Sequence, residues 1–295
     1  MGVLNLGSLI EAARHRPDLV LAGHIVVSPA ALAIKGVFRT PLVQYVYAME
    51  ITSRPRLAAL ALSRADAVIA ISRHTETLAR GHGATDVRVI PPGVDLPQVP
   101  PLERFNEPTI VSVSRLDERY KGHDVLLRAL PLIRARVPSA RVVVVGDGAL
   151  RPAYEALARA LGVHEAVRFA GEVDDAERDR LLSRSHVFAM PSRLAANGAG
   201  EGFGIAYLEA NAHGLPVVAG NVAGALDAVV EGETGLVVDP CDHVAVAEAI
   251  MSLLEDPAKA ERLGRQGAER AKEFAWPKIA ARVEDVLLEV AERPR

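Results

Sequence analysis

Short β-branched runs alternate with longer Ala/Leu/Arg-rich stretches along most of this chain, and that alternation limits what it can fold into more than any single motif does. The strand-like runs are Leu19–Val27, Leu42–Val46, Ala67–Ala70 and Val87–Ile90, with helical sequence between them. Met1 to Pro17 reads as one short helix with no strand before it. The rhythm then breaks at Pro91-Pro92-Gly93-Val94-Asp95 and through Leu96–Pro108, a stretch with four further prolines and neither period. It restarts with strands at Thr109–Val113, Arg141–Val145, Val167–Phe169, Val187–Met190, Pro216–Ala219 and Gly235–Val238, separated by helices such as Asp124–Arg136 and Arg151–Leu161. From Asp242 onward the pattern is helical, and Trp276-Pro277 opens a last helix that runs to Val290.

Strand–helix alternation of this kind predicts βαβ units and therefore parallel sheets, two of them, joined at the proline-bearing stretch. A length of 295 residues agrees with two domains of roughly 100–200 residues each. The expected division is 1–100, 101–275 and a C-terminal helix, 276–295. With 34 Lys+Arg against 37 Asp+Glu, the net charge of −3 is too balanced for a nucleic-acid-binding surface. The single cysteine, Cys241, can close no internal disulfide and complete no zinc site, which suits a reducing cytoplasm. Placed after Pro240 at a strand end, it reads as a small buried thiol rather than a nucleophile. Met1–Leu6 lacks the basic start of a signal peptide, and the uncharged run Leu19–Ile34 is broken by Gly23, His24, Ser28 and Pro29, short of the ~18–20 apolar residues that span a bilayer.

The densest chemical signal is Gly198-Ala199-Gly200-Glu201-Gly202-Phe203-Gly204-Ile205-Ala206-Tyr207-Leu208-Glu209, a glycine-rich loop running into a helix. Such loops present open backbone N–H groups where the helix dipole favours phosphate oxygens. With a helix starting near Gly202, Glu201 sits at its mouth and Glu209 on a similar face two turns in, a pair suited to sugar hydroxyls. The alternative is a helix-start charge and a solvated helix residue. A second cluster, Ser114-Arg115-Leu116 with Lys121-Gly122-His123-Asp124, follows the first strand after the linker, at the edge where α/β sheets bind ligands. Arg115 offers a fork and Lys121 a compact charge, together matching a diphosphate, although two solvated loop cations would look the same. Gly146-Asp147-Gly148 is half of a dinucleotide fingerprint without its third glycine and reads as a tight strand-to-helix turn. No Asp-x-Asp, His-Glu-x-x-His or Gly-x-Ser-x-Gly occurs, so neither a dedicated metal site nor a hydrolase nucleophile is expected.

In order and spacing, Pro91–Asp95, Ser114-Arg115-Leu116 with Lys121-Gly122, Val145–Gly148, Phe169-Ala170-Gly171, Pro191-Ser192 and the Glu201/Glu209 pair resemble the family 4 retaining glycosyltransferases, from about residue 66 onward. The wording around Glu201–Ala210 is similar to bacterial mannosyltransferases acting on phosphatidylinositol lipids. The resemblance implies an α/β GT-B fold, two Rossmann-like parallel-sheet domains facing across a cleft. It also implies transfer of a sugar, mannose among the candidates, from a nucleotide diphosphate sugar to a lipid or glycan hydroxyl. Arg115 and Lys121 would hold the leaving diphosphate and Glu201 the donor sugar. Glu209 would bind the ribose, with the amides of Gly202, Phe203, Gly204 and Ile205 completing the phosphate cradle and Gly146 and Gly171 lining the donor. Neither metal nor cofactor would be needed.

Two departures stand out. The family's opening strand with its Gly-Gly loop has no counterpart before Asp18, so the first domain is expected to be incomplete. Tyr47-Ala48-Met49-Glu50 stands where the family often has His-Gly-x-Glu, which leaves His24 and Tyr47 as acceptor-side candidates; a satisfied structural histidine at 24 is equally compatible. Arg54, Arg56 and Arg64 around Leu57–Leu62 read either as an ordinary amphipathic surface helix or as a contact with the inner face of a membrane. The rival functional readings are a catalytically impaired nucleotide-sugar-binding fragment or partner subunit, and an NAD-dependent oxidoreductase, which the incomplete fingerprint disfavours.

Overall fold

The structure, a computed structural model, describes residues 2–98, 102–196 and 198–293. The first stretch runs α1 (Gly2–His15), β1 (Val20–Ala22), α2 (Ser28–Phe38), β2 (Leu42–Val46), α3 (Ala48–Ser53), α4 (Pro55–Leu62), β3 (Ala67–Ala70), α5 (Arg73–Gly81) and β4 (Val87–Val89). The second runs β5 (Thr109–Val113), α6 (His123–Arg136), β6 (Arg141–Val145), α7 (Arg151–Ala160), β7 (Val167–Gly171), α8 (Asp175–Arg184) and β8 (Val187–Met190). It continues with α9 (Ile205–Ala212), β9 (Val217–Gly220), α10 (Ala225–Ala228), β10 (Gly235–Val238), α11 (His243–Leu254), α12 (Pro257–Ala271) and the closing α13 (Trp276–Ala291). Two compact units result: Met1–Gly93 with Asn197–Gly202 and Trp276–Arg295, and Val94–Ala196 with Phe203–Ala275.

The first unit is a four-stranded parallel sheet, β1-β2-β3-β4, in which Val20 faces Leu42, Val43 faces Ala67 and Val68 faces Val87. Ala58, Leu62 and Ala79 of α4 and α5 cover one face with Val46, Val68 and Ala70. Ile279, Val286 and Val290 of α13 cover Val43, Ile69 and Ile90 on another. Charge fixes the end of that helix: Asp86 receives Arg88 and Arg293, each at 2.7 Å, and Arg88 reaches Glu289 at 2.7 Å. Hydrogen bonds from Arg88 and Arg293 hold the Asp86 carboxyl below its usual range. Buried polar side chains tie the strands together. Gln44 accepts from Ser28 Oγ at 2.7 Å and donates to the Ala22 carbonyl at 2.9 Å, while Asp66 accepts the Leu42 N–H at 2.8 Å and pairs with Lys35 at 2.7 Å. The run Leu19–Val27 is not one strand. It leaves the sheet after Ala22 and closes as a 3₁₀ turn over Ile25–Val27, because Glu50 takes the Ile25 N–H at 2.9 Å.

The second unit is a six-stranded parallel sheet, β10-β9-β8-β5-β6-β7. The strands β8 and β9 are buried throughout, as expected of sheet interiors covered on both faces. Ile110, Val142, Val144 and Val187 pack with Leu126, Leu127, Leu130 and Ile133 of α6 and with Val246 and Ile250 of α11. Helix starts follow local chemistry: Asp174, Asp242 and Asp256 cap α8, α11 and α12, and prolines occupy first-turn positions of α7 and α12. The chain enters this unit stapled to α8. Phe105 N–H donates to the Arg184 carbonyl at 2.8 Å, the Arg184 guanidinium lies 4.4 Å over the Phe105 ring, and Arg104 donates to the Ser185 carbonyl. Cys241 is exposed, not buried as its place after a strand suggested: the chain has turned outward by then, with Cys241 N–H donating to Asp239 Oδ1 at 2.9 Å ahead of the α11 cap. The α/β expectation, two parallel sheets either side of a proline-bearing stretch, is met.

Candidate active site

Strand order decides where a ligand can sit in the second sheet. From β5 the chain winds one way through β6 and β7, then returns to place β8 on the other side of β5. Open α/β sheets bind ligands outside the carboxyl ends of the strands at such a reversal. The loops leaving the carboxyl ends of β5 and β8 carry the two motifs: Ser114–Gly122 follows β5, and Pro191–Gly204 follows β8.

Backbone contacts weld the first loop to its neighbours. Ser114 N–H donates to the Val145 carbonyl at 3.0 Å, Leu116 N–H to that of Asp147 at 2.8 Å, and Gly146 N–H to that of Gly171 at 2.8 Å. Gly146 and Gly171 therefore meet directly. A side chain at Gly146, where φ is +119°, would drive a Cβ to 2.0 Å from the Ser114 carbonyl oxygen, and at Gly122 to 2.1 Å from that of Pro191. Gly146-Asp147-Gly148 is thus the tight strand-to-helix turn expected, with Asp147 Oδ1 accepting Gly148 N–H at 2.7 Å and Asp147 Oδ2 pairing with Arg151 at 2.7 Å. Arg115 is exposed, with Glu118 Oε1 at 3.1 Å, and Lys121 Nζ lies 5.2 Å over the Tyr120 ring. Beneath them His123 is buried, its Nε2 2.7 Å from Ser114 Oγ and its ring edge-on to Tyr154. Burial, and then Lys121, push its pKa down to about 4, so it is neutral at pH 7. His123 thus adds no cation here, and the charged side chains of this loop are Arg115, Asp117, Glu118, Arg119 and Lys121, with Arg115, Asp117 and Arg119 exposed.

The glycine-rich loop departs from expectation in one respect. Helix α9 starts at Ile205, not near Gly202, because Gly204 is left-handed at φ +98° and its Cα lies tight on Tyr207: a Cβ there would come within 2.3 Å of the ring. Tyr207 is itself fixed by its hydroxyl, which donates to the Met190 carbonyl at 2.6 Å, and by edge-on contact with Phe188. Glu201 therefore lies in the loop, buried, and does not share a helix face with Glu209. Its segment groups with the first unit, whereas Phe203, buried against Phe274, begins the second unit's share. Among the described residues the N–H groups of Gly202, Phe203, Gly204 and Ile205 donate to no backbone carbonyl, which leaves them open to an anion. Glu209 is not a solvated helix residue: it is three-quarters covered, 3.7 Å from Arg178, and burial pushes its carboxyl up. Arg178 escaped the sequence reading because its signal is only a charge-rich helix start, Asp174–Asp179.

In the first unit Glu50 is the organising side chain. It accepts the Ile25 and Tyr47 N–H groups, each at 2.9 Å, and its Oε2 lies 2.8 Å from His24 Nδ1. Burial pushes its carboxyl up against those bonds. His24 is half exposed on that anchor, and Tyr47, also exposed, packs its ring at a tilt of 49° against Tyr45, 5.4 Å between centroids. Both tyrosines line an apolar groove of about 540 Å³ with Leu21, Pro92, Trp276 and Val283. The helix α4 behind Arg54 and Arg56 buries Ala58, Ala61 and Leu62 in the core. No helix among the described residues is long and apolar enough to cross a membrane, and none of them form a group of three or more metal-binding side chains.

Residues 99–270, more than half of the chain, match the family described as glycosyl transferases group 1, and residues 3–98 match glycosyltransferase family 4. The chain belongs to the group 1 glycosyl transferases. It is 39% identical over 238 residues to a GDP-mannose-dependent alpha-(1-6)-phosphatidylinositol monomannoside mannosyltransferase of Mycolicibacterium smegmatis, covering 76% of this chain and 62% of that protein. It is 30% identical over 292 residues to a Mycobacterium tuberculosis glycogen synthase, covering 92% and 69%. The chain thus spans about 62% of the length of the mannosyltransferase it matches. Among solved structures, sucrose-phosphate synthase from Thermosynechococcus elongatus superimposes with a TM-score of 0.82 at 26% identity, over 95% of this chain and 75% of that one. Anabaena HepE, crystallised with UDP and glucose, gives 0.82 at 23% identity over 97% and 81%, a likeness of fold alone. With these neighbours the two parallel sheets are those of the GT-B class, as the motifs implied.

Proposed function

We propose that this glycosyl transferase moves a hexosyl group, mannose first among candidates, from a nucleotide diphosphate sugar to an acceptor hydroxyl with retention of configuration. The observation that carries the reading is topological: the cationic loop and the open-amide loop leave the carboxyl ends of β5 and β8, the two strands flanking the sheet's reversal. In the reaction the bond between the sugar C1 and the diphosphate oxygen breaks, a bond from the acceptor oxygen forms on the same face, and the acceptor's hydroxyl proton passes to the departing diphosphate oxygen. Negative charge builds on the leaving diphosphate. Arg115, Lys121 and the amides from Gly202 to Ile205 are the groups suited to receive it, and the backbone that carries Arg115 is held before reaction by the contacts of Ser114 with Val145 and Leu116 with Asp147. Glu201 serves the donor sugar and Glu209 the ribose. His24 and Tyr47 belong to the acceptor side, where the apolar groove beside Tyr47 suits a lipid-linked or glycan acceptor.

The mannosyltransferase similarity supports GDP-mannose as donor and a phosphatidylinositol mannoside as acceptor. The test is to incubate the chain with GDP-mannose and that acceptor, with and without EDTA, and to follow GDP release and product. Transfer that survives EDTA supports the reading. Absence of both transfer and donor hydrolysis, or loss on chelation with recovery in Mg²⁺, overturns it.

A further inference from the structure

We infer that Arg178 of α8 is a positioning residue for the donor: clamped by Asp175 and Asp179, it holds the Glu209 carboxylate charged and aimed while leaving both of its oxygens free for ligand. The inference rests on the reading of Glu209 as a donor-binding group, and nothing in the family match singles out Arg178.

The geometry is specific. Arg178 Nη1 donates to Asp175 Oδ1 at 2.8 Å, while Nη2 and Nε both donate to Asp179 Oδ1, at 2.9 and 3.1 Å. Those bonds fix the guanidinium plane from two sides. Nη1 then stands 3.7 Å from Glu209 Oε1, beyond hydrogen-bonding range yet close enough for strong attraction in a half-buried site. A direct hydrogen bond would have consumed acceptor capacity. At this separation the carboxylate keeps its lone pairs, which is what a vicinal diol requires of a carboxylate.

Glu209 needs that help. Burial pushes its carboxyl up, and the carboxylates facing it, Asp175 and Asp179 from α8 and Asp95 from the entry segment, push the same way. Arg178 is the one group acting on Glu209 in the opposite direction. His213, the C-terminal cap of α9, adds no cation at neutral pH: its Nε2 lies 3.6 Å from Asp179 Oδ1, but burial lowers its pKa. Remove Arg178 and Glu209 takes up a proton at higher pH, becoming a mixed donor and acceptor that meets two hydroxyls poorly.

The test is calorimetric binding of GDP and of UDP to the full 295-residue chain and its variants, from about pH 8 to about pH 6, each variant referred to wild type at the same pH. Arg178→Met is expected to weaken whichever nucleotide binds by roughly tenfold near pH 7, the loss growing as pH falls; Arg178→Lys should restore most of it. In a Glu209→Gln background Arg178→Met should add nothing. Where the Met variant does not fold, judged by thermal melting, Arg178→Gln takes its place. Wild-type affinity in the Arg178 variants alongside weakened binding in Glu209→Gln overturns the inference alone. So does a pH-independent loss that persists without Glu209. Unchanged binding in Glu209→Gln overturns the reading of Glu209 first, and the role of Arg178 with it.

Discussion

The two sheets solve one problem by different means. In the six-stranded sheet the loops at the carboxyl ends of the strands are held by backbone against backbone: Ser114 on Val145, Leu116 on Asp147, Gly146 on Gly171. In the four-stranded sheet the corresponding turns hang on side chains, with Glu50 gathering Ile25, Tyr47 and His24, and Gln44 bridging Ser28 and Ala22. The first arrangement requires glycine at named points, because a Cβ has nowhere to go, and so leaves a signature in the sequence. The second requires one acceptor of the right length, which many sequences supply. A rigid backbone cradle suits a charged, invariant diphosphate; side-chain anchors suit a surface that is adapted to different acceptors.

The largest effect that would separate the two regions lies in catalysis. Arg115→Ala and Lys121→Ala should each lower kcat by roughly 10²–10³ with a smaller change in donor affinity, since each removes a preorganised charge from the departing diphosphate. Steady-state kinetics with GDP-mannose measures it, and wild-type kcat would return both to ordinary loop cations.

On the side-chain-built region the expected effect falls on stability instead. Glu50→Ala strands two N–H donors and should destabilise the first unit by roughly 2–4 kcal/mol in denaturant unfolding, with Glu50→Gln about half as costly because one acceptor oxygen remains. Binding of GDP should be unaffected. A change in nucleotide affinity as large as the stability change would erase the distinction between the regions.

That contrast also explains what was legible in the sequence. The strands β3, β8 and β9, buried along their length, announced themselves as continuous apolar runs, and the glycines at 122, 146 and 204 marked turns that nothing else could make. The start of α9 was not legible: a run of glycines does not say which one is left-handed, and the choice depends on the Tyr207 ring lying against Gly204. The end of β1 depends on Glu50, distant in sequence, and the clamp on Glu209 on Arg178, 31 positions away. Tertiary contacts of this kind have no local period to read.

A smaller effect probes the support under the cationic loop. The pKa of His123 lies near 4 in the folded chain, below the ordinary 6.5, so the unfolded chain binds a proton over that interval while the native one does not. Stability should therefore fall as pH drops below about 6.5, by about 2 kcal/mol at pH 5, and His123→Gln should flatten that limb. Urea unfolding at several pH values reads it out; an unchanged limb in the variant would assign the acid sensitivity elsewhere.

The catalytic effects expected of Arg115 and Lys121 follow from a nucleotide diphosphate held at the reversal of the six-stranded sheet. A crystal structure of the chain soaked or co-crystallised with GDP tests it most directly. Phosphate oxygens are expected within hydrogen-bonding distance of Arg115, Lys121 and the amides around Gly204, with the ribose hydroxyls on Glu209. Well-defined GDP bound elsewhere on the chain, with Arg115 and Lys121 untouched, would contradict it.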